Sequence, residues 1–190
     1  MSATYPAAAL LLRPSAAADL PALTALYGWH AQHGSGTFEL EGPSLEEMAR
    51  RRDDVLAKGL PWLVAERHGD LLGYAYAAPF RPRLAYRFAL EDSIYLAPHA
   101  HRQGVGRALL AELISRCEAW GARQMFAVIG DSTNAASIGL HRALGFADVG
   151  TMHAAGWKFD RWLDVVIMQR RLGDGDATPP SDCPPAGGRS

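Results

Sequence analysis

Apolar residues recur at Val105, Leu109, Leu113 and Cys117, with Leu110 and Ile114 widening the stripe, and this spacing predicts a helix that ends at Gly121. Just before it, Ser93 to Ala97 has the β-branched and aromatic make-up of a buried strand stopped by Pro98. Leu10 to Arg13 reads as a first strand. Ser15 then stands where a helix cap belongs, with Asp19 in the first turns and Leu20, Leu23, Leu26 and Tyr27 on one apolar face. Gly34-Ser35-Gly36-Thr37 is a loop, and Ser44-Leu45-Glu46-Glu47 is a capping box that opens a helix running to Lys58-Gly59. Pro61 to Glu66 and Leu71 to Ala77 read as antiparallel strands around a tight turn with His68 at its tip. The segment from Pro79 to Phe88 breaks the pattern, with room for a short helix after Pro82. Gln124 to Ile129 is another buried strand, Asn134 to Leu144 a short helix closed by Gly145, and Phe146 to Met152 with Trp162 to Arg171 a last strand pair. This order predicts an α/β (α+β) fold, a sheet with helices on both faces. Residues 1–9 read as a flexible start, 10–172 as a single domain and 173–190 as a disordered tail of Asp, Gly, Pro and Ser.

The 190 residues suffice to bury roughly 70% of the unfolded surface. A formal net charge of -1 with mixed signs gives no broad footprint for nucleic acid or an acidic membrane. The Arg50-Arg51-Arg52-Asp53-Asp54 run is at helical spacing a solvated, ion-paired face. No stretch approaches the roughly 20 apolar residues that span a bilayer. Ala7 to Leu12 lacks a basic leader and runs into Arg13-Pro14, so it reads as a strand and not a signal peptide. Cys117 on an apolar helix face and Cys183 in the tail do not suggest a disulfide, and a cytoplasmic setting follows. His99 and His101 lack the cysteine or carboxylate neighbours that would complete a metal site, so no metal is expected.

Between the central strand and helix, Arg102-Gln103-Gly104-Val105-Gly106-Arg107 is a turn of little bulk that leads into the free N–H groups of a helix N-terminus, a cradle for pyrophosphate. It lacks the Gly-Lys-Ser/Thr of a nucleoside triphosphate loop, and Leu109 stands where a dinucleotide fingerprint needs its third glycine. His101-Arg102-Gln103-Gly104-Val105-Gly106 resembles the acetyl-CoA loop of the GCN5-related N-acetyltransferases, with His at its first position as a departure. Further matches are Pro61 to Glu66, Phe80-Arg81-Pro82-Arg83-x-Ala85-Tyr86, Glu91-x-Ser93-Ile94-Tyr95, Asn134-x-x-Ser137, Leu144-Gly145-Phe146 and Gly156-x-Lys158-x-x-x-Trp162-x-Asp164. Together they are similar to the phosphinothricin and methionine sulfone N-acetyltransferase group over about Leu10 to Leu172. The resemblance implies a mixed, mostly antiparallel central sheet, acetyl-CoA as co-substrate, a small-molecule amine as acceptor and a homodimer.

It also implies roles for named residues. Acetyl-CoA would lie along the backbone of Ile94, Tyr95 and Leu96, with Arg102, Gln103, Gly104, Val105, Gly106 and Arg107 around its phosphates and Asn134 on its arm. Asn134 also reads as a helix cap. Acetyl transfer needs an amine stripped of its proton, and Glu91 is a carboxylate placed to take it; otherwise it is a strand-end ion-pair residue. His141 occupies the place where many relatives carry a tyrosine near the leaving thiolate, and reads either as an acid or as a packed residue. Arg81 and Arg83 on one side of an extended chain, or Arg83 and Arg87 on one face of a helix, offer guanidinium groups to the acceptor's carboxylate or to a phosphinate or sulfone oxygen, or else are surface arginines. Pro82 is a further substrate-binding candidate, Glu91, Asp92 and Ser93 would flank the amino group, and Tyr86, Phe38, Trp157 and Lys158 are candidates to line the pocket. The activity expected is acetylation of the α-amino group of a phosphinothricin, methionine sulfoximine or methionine sulfone type of amino acid by direct attack. A different amine acceptor and a non-catalytic acyl-CoA sensor are the alternatives.

Overall fold

A computed structural model describes residues 9–180; the expected loose N-terminus up to residue 8, Cys183 and the tail beyond residue 180 lie outside the described residues. In chain order the elements are β1 (Leu11–Pro14), α1 (Leu20–His33), α2 (Leu45–Leu56), β2 (Trp62–Arg67), β3 (Asp70–Pro79), β4 (Ala89–Leu96), α3 (Val105–Trp120), β5 (Gln124–Gly130), α4 (Ala135–Ala143), β6 (Ala147–Lys158) and β7 (Arg161–Arg171). They build a 7-stranded sheet of order β1-β2-β3-β4-β5-β7-β6. Every pairing is antiparallel except that of β4 with β5. The expected mixed sheet with helices on both faces is what forms, because α3 covers one face while α1 and α2 cover the other.

Alternation along the strands builds the two cores. On one face Trp62, Tyr74, Tyr76 and Tyr95 form a run of stacked rings under Tyr27 of α1. On the other, Val105, Leu109, Leu110, Leu113 and Cys117 of α3 are all 0% exposed, as their helical spacing predicts. Each buried leucine there contributes about 1.5–3 kcal/mol. Gly121 closes α3 in the left-handed region, φ 102°. Ser44 caps α2 by accepting the Glu47 N–H, although the Glu47 carboxylate turns to Arg50 and Arg51 and so leaves the capping box half made.

Four expectations need correction. Ser15 does not cap α1; it is buried and accepts a bond from Arg52 Nε at 2.8 Å, while a short 3-10 turn at Ala17–Asp19 starts the helix. The central strand begins at Ala89, so Glu91 and Asp92 lie inside it and not at its entrance. β6 runs on to Lys158, well past Met152; it was hard to read because nearly all of it is an exposed edge with register shifts, leaving no apolar alternation. Residues 173–180 form turns held by Gly175 N–H to Leu172 O at 2.9 Å and by Arg123 donating to Thr178 Oγ1 at 3.2 Å, so order persists past Gly173. Among the described residues no helix is long and apolar enough to cross a membrane.

At the end of β5 the Ser35 carbonyl lies where a side chain on Gly130 would stand. Gly130→Ala should therefore lower the urea unfolding midpoint by the equivalent of roughly 1–3 kcal/mol. An unchanged midpoint would show that this loop does not press on the strand end.

Candidate active site

β4 and β5 run side by side only from Ala89 opposite Gln124 to Asp92 opposite Ala127. Beyond that point β5 keeps only β7 as its partner and β4 keeps only β3, so the sheet opens between them. A cavity of about 660 Å³ fills the gap, lined on its floor by Ser93 to Leu96 and Ala127 to Gly130. Ligand crevices form at the carboxyl ends of strands in this way, where neighbouring connections leave in different directions.

The loop expected to cradle pyrophosphate stands at one end. Arg102 and Gly104 both take positive φ, 62° and 79°, which turns the chain sharply into α3. The first intrahelical bond of α3 is Ala108 N–H to Gly104 O at 3.0 Å, so the amides before it are free to meet an anion. A Cβ on Gly106 would lie 3.0 Å from Leu96 Cδ1 and 3.3 Å from Leu140 Cδ2, so glycine lets the helix start close to β4 and α4 without displacing those leucine methyls. Gln103 spends its side chain on the scaffold, accepting from Arg67 at 2.8 Å and donating to His99 O at 2.7 Å. Arg102 and Arg107 are exposed on the flanks, and neither makes an ion pair among the described residues.

Strand alternation then sorts the lining. Ile94 and Leu96 face α3, packing toward Gly106, whereas Tyr95 is half-buried against Tyr27, Tyr74 and His30 on the α1 face. The Leu96 carbonyl is already bonded by His30 Nε2 at 2.9 Å. Asn134 caps α4 by accepting Ser137 N–H at 3.2 Å and also lines the crevice, so its two expected roles are compatible.

Adjacent strand residues cannot share a face, and this separates Glu91 and Ser93 from Asp92. Glu91 and Ser93 lie on the α1 face with Tyr76. Asp92 instead points to α4, so the expectation that it flanks the acceptor's amino group beside Glu91 is not what the geometry gives. Its carboxylate is buried and meets His141 Nε2 at 3.0 Å; the other ring nitrogen, Nδ1, lies 2.7 Å from the Ser137 carbonyl. A carbonyl only accepts, so Nδ1 carries a hydrogen, and a further proton must sit between Nε2 and Asp92 Oδ2. Burial pushes His141 down, but the Asp92 carboxylate outweighs it and the histidine ends above its ordinary pKa. Both ring nitrogens are engaged, so His141 presents no free nitrogen to a ligand; the unpartnered atom of the pair is Asp92 Oδ1. For Glu91, burial raises the carboxyl above the usual range despite the Arg81 guanidinium 3.9 Å away. A base whose pKa moves toward neutrality and a separate proton-holding pair can do opposite jobs at one pH.

The arginine segment is placed differently from expectation. Arg81 donates to the Phe80 carbonyl at 2.8 Å and lies over the Phe80 ring, reaching the site only beside Glu91. Pro82, Arg83 and Tyr86 do not line the crevice; Tyr86 packs edge-on against Phe80, which stacks on Phe126. Trp157 is exposed, while Phe38 lines the crevice. Sequence reading missed Tyr76, Trp29, His30 and the Ser35 to Thr37 backbone, which line the same space. A strand alternation that puts Tyr76 opposite Ser93 was the one available signal.

A sheet split at its parallel pair, with a glycine turn feeding amides to one end and a raised carboxyl on the floor, is the architecture of an acyl-CoA-dependent transferase. Residues 24–146 match the acetyltransferase (GNAT) family model, and the chain belongs to that family. A phosphinothricin N-acetyltransferase of Alcaligenes faecalis is 56% identical over 162 residues, 85% of this chain and 82% of that protein. An L-methionine sulfoximine/L-methionine sulfone acetyltransferase of Pseudomonas aeruginosa is 38% identical over 162 residues, covering 85% and 94%. The crystal structure of a GNAT phosphinothricin acetyltransferase from Sinorhizobium meliloti in complex with AcCoA superposes with a TM-score of 0.88 at 49% identity, covering 91% of this chain and 94% of that one. This chain is accordingly an N-acetyltransferase that uses acetyl-CoA.

The protonated His141–Asp92 pair stabilises the folded state below the ordinary histidine pKa of about 6.5, and that contribution is lost as pH rises through the elevated folded value. Asp92→Asn removes the carboxylate and leaves burial dominant, so an NMR titration of the His141 ring should move from above the ordinary value to below it. An unmoved titration would mean that Asp92 does not hold the proton.

Proposed function

We propose that this enzyme acetylates the α-amino group of a small amino acid of the phosphinothricin, methionine sulfoximine or methionine sulfone type. The observation that carries the mechanism is the two-sided crevice: Glu91 and Ser93 open to the α1 face, while Asn134, Ile94 and Leu96 line the α3 and α4 face, with His101, just before the Gly104 turn, at its end. Acetyl-CoA supplies the acetyl group as a thioester. The backbone of β4 beyond Asp92 has no strand on its β5 side and can bond an extended arm there as an added strand would. The Gly104 turn and the start of α3 take the phosphates, with Arg102 and Arg107 beside them.

On the other face the acceptor arrives as an ammonium, attracted by Glu91. The carboxylate takes one proton, and its raised pKa makes that transfer less uphill at neutral pH. The freed nitrogen bonds to the acetyl carbon as the carbon–sulfur bond breaks, without a covalent enzyme intermediate. The His141–Asp92 pair holds a proton on the side where the sulfur departs, and so steadies the negative charge that develops there. Arg81, beside Glu91, is placed to meet the acceptor's carboxylate when its guanidinium swings off Phe80.

A homodimer fits the exposed edge of the sheet, where β6 has no outer partner among the described residues and shows Val149, Met152 and Trp157 to solvent. Cytoplasmic residence fits the free buried Cys117 and the supply of acetyl-CoA. Resistance to inhibitory amino acid analogues is the role that such an activity would give.

Thiol release from acetyl-CoA should be seen with phosphinothricin, methionine sulfone and methionine sulfoximine, and not with spermidine or N-terminal peptides. Turnover of spermidine or peptides alone would replace this reading. Glu91→Gln should lower kcat by about 10²- to 10⁴-fold with acetyl-CoA binding unchanged. A kcat within about twofold of wild type would remove Glu91 from the proton path. Charged substitution of Val149 and Met152 together should yield monomers in sedimentation; an unchanged mass would place the interface elsewhere.

A further inference from the structure

Lys158 is 3% exposed, and its ammonium donates to the carbonyls of Gly34 and Thr37 at 2.8 Å each. It makes no ion pair among the described residues: Glu39, which acts on it from a distance, is itself paired with Arg51 at 2.8 Å. A buried cation without a counter-ion is costly, so an anion or strong dipole nearby would be stabilising. The two carbonyls belong to the loop that walls the crevice opposite β4. In a trans peptide the N–H points away from the C=O of the same unit. Gly34 O and Thr37 O both turn to Lys158, so the N–H groups of Ser35 and Phe38 point the other way, and neither has a partner among the described residues. The ammonium also polarises the peptide units that carry them. Among the described residues no lysine or arginine side chain lines the crevice, which leaves this amide pair as a charge-backed donor site there.

Resting on the amino acid acceptor proposed above, we infer that the Ser35 and Phe38 amides, with Lys158 behind them, receive the sulfonyl or phosphinyl oxygens at the end of the acceptor's side chain. The placement separates the two ends of the substrate. Arg81 and Glu91 lie where β4 still pairs with β5, at Phe126. The loop crosses Gly130, four residues further along β5, or roughly 13 Å at the rise of a strand. The ammonium and its neighbouring carboxylate belong at the first point, and a side chain extending from them runs toward the second. Lys158 is thereby a positioning residue that acts through the loop, and the side-chain oxygens are the feature it selects.

The test compares methionine sulfone with norleucine, an amino acid of similar length without those oxygens. Calorimetry on the CoA-bound protein gives both dissociation constants without requiring turnover, so thiol release by the wild type tests the proposed activity separately. Wild type should bind the sulfone about tenfold or more tightly than norleucine. Lys158→Met should bring that ratio close to one while leaving norleucine and acetyl-CoA binding within about twofold. Ser35→Pro deletes one amide without touching the charge, and Gly34 already has the extended backbone, φ -110° and ψ 151°, that a residue before proline adopts. It should shrink the ratio in the same direction, and it carries the test if the lysine variant does not fold. Equal weakening of both ligands would mark a purely structural lysine, and an unchanged ratio in the variants would remove the loop from recognition. A collapse of discrimination between methionine sulfone and its carboxamide, with the sulfone-to-norleucine ratio intact, would assign the loop to the α-carboxylate and likewise overturn the inference.

Discussion

The separation of β4 from β5 after Asp92 and Ala127 is the constraint on which the rest of the structure depends. A parallel pair that stayed in register would satisfy its own backbone groups and leave no room between strands. Here the strands are pulled to different neighbours, β4 to β3 and β5 to β7, and the backbone between them is left with bonds to make. Unmade bonds along an inner strand are expensive in a dry core, but they are useful on the floor of an open crevice, where a ligand with amide groups can complete them. Gly106 matters for the same reason. By letting α3 begin against Leu96 and Leu140, it brings the free amides of the helix start to the end of the gap.

Because a strand sends alternate side chains to opposite faces, the split sheet keeps two kinds of chemistry apart without any special device. Glu91 and Asp92 are neighbours in sequence, yet one faces the proposed amine and the other is locked to His141. Burial acts on both faces with different results. It favours the neutral form of Glu91, making it a better proton acceptor near neutrality, while around His141 the adjacent carboxylate reverses the effect of burial and retains a proton. Local charge, and not depth alone, decides the direction.

Much of this was legible in the chain itself. The stripe on α3, its glycine stop, the turn at Gly104 and the cap at Asn134 are local signals, set by residues within a turn or two of each other. The order of elements and the wider motif set then indicated the fold. What sequence reading placed wrongly depended on a boundary or on distant contacts. Starting the central strand at Ser93 instead of Ala89 put Glu91 and Asp92 at its entrance, where the pleat would not separate them, whereas inside the strand they face opposite sides. Arg81 and Arg83 have the composition of a carboxylate clamp, but the short turn after Pro82 holds Arg83 away from the cavity, and Arg81, lying over the Phe80 ring, reaches it only on the side where Glu91 stands. Lys158 meets Gly34 and Thr37 across more than a hundred residues, and no spacing within the chain announces such a contact. The exposed length of β6 carried no alternation to read, since a strand that faces solvent on both sides imposes none.

The most direct measurement of the central claim is amide hydrogen exchange with and without acetyl-CoA. Binding in the open gap should slow exchange in two separated places, the β4 amides from Ile94 to Leu96 and the turn from Gln103 to Arg107, and leave the outer strands β1 and β6 unchanged. Protection confined to the turn, or found on another face of the sheet, would contradict it.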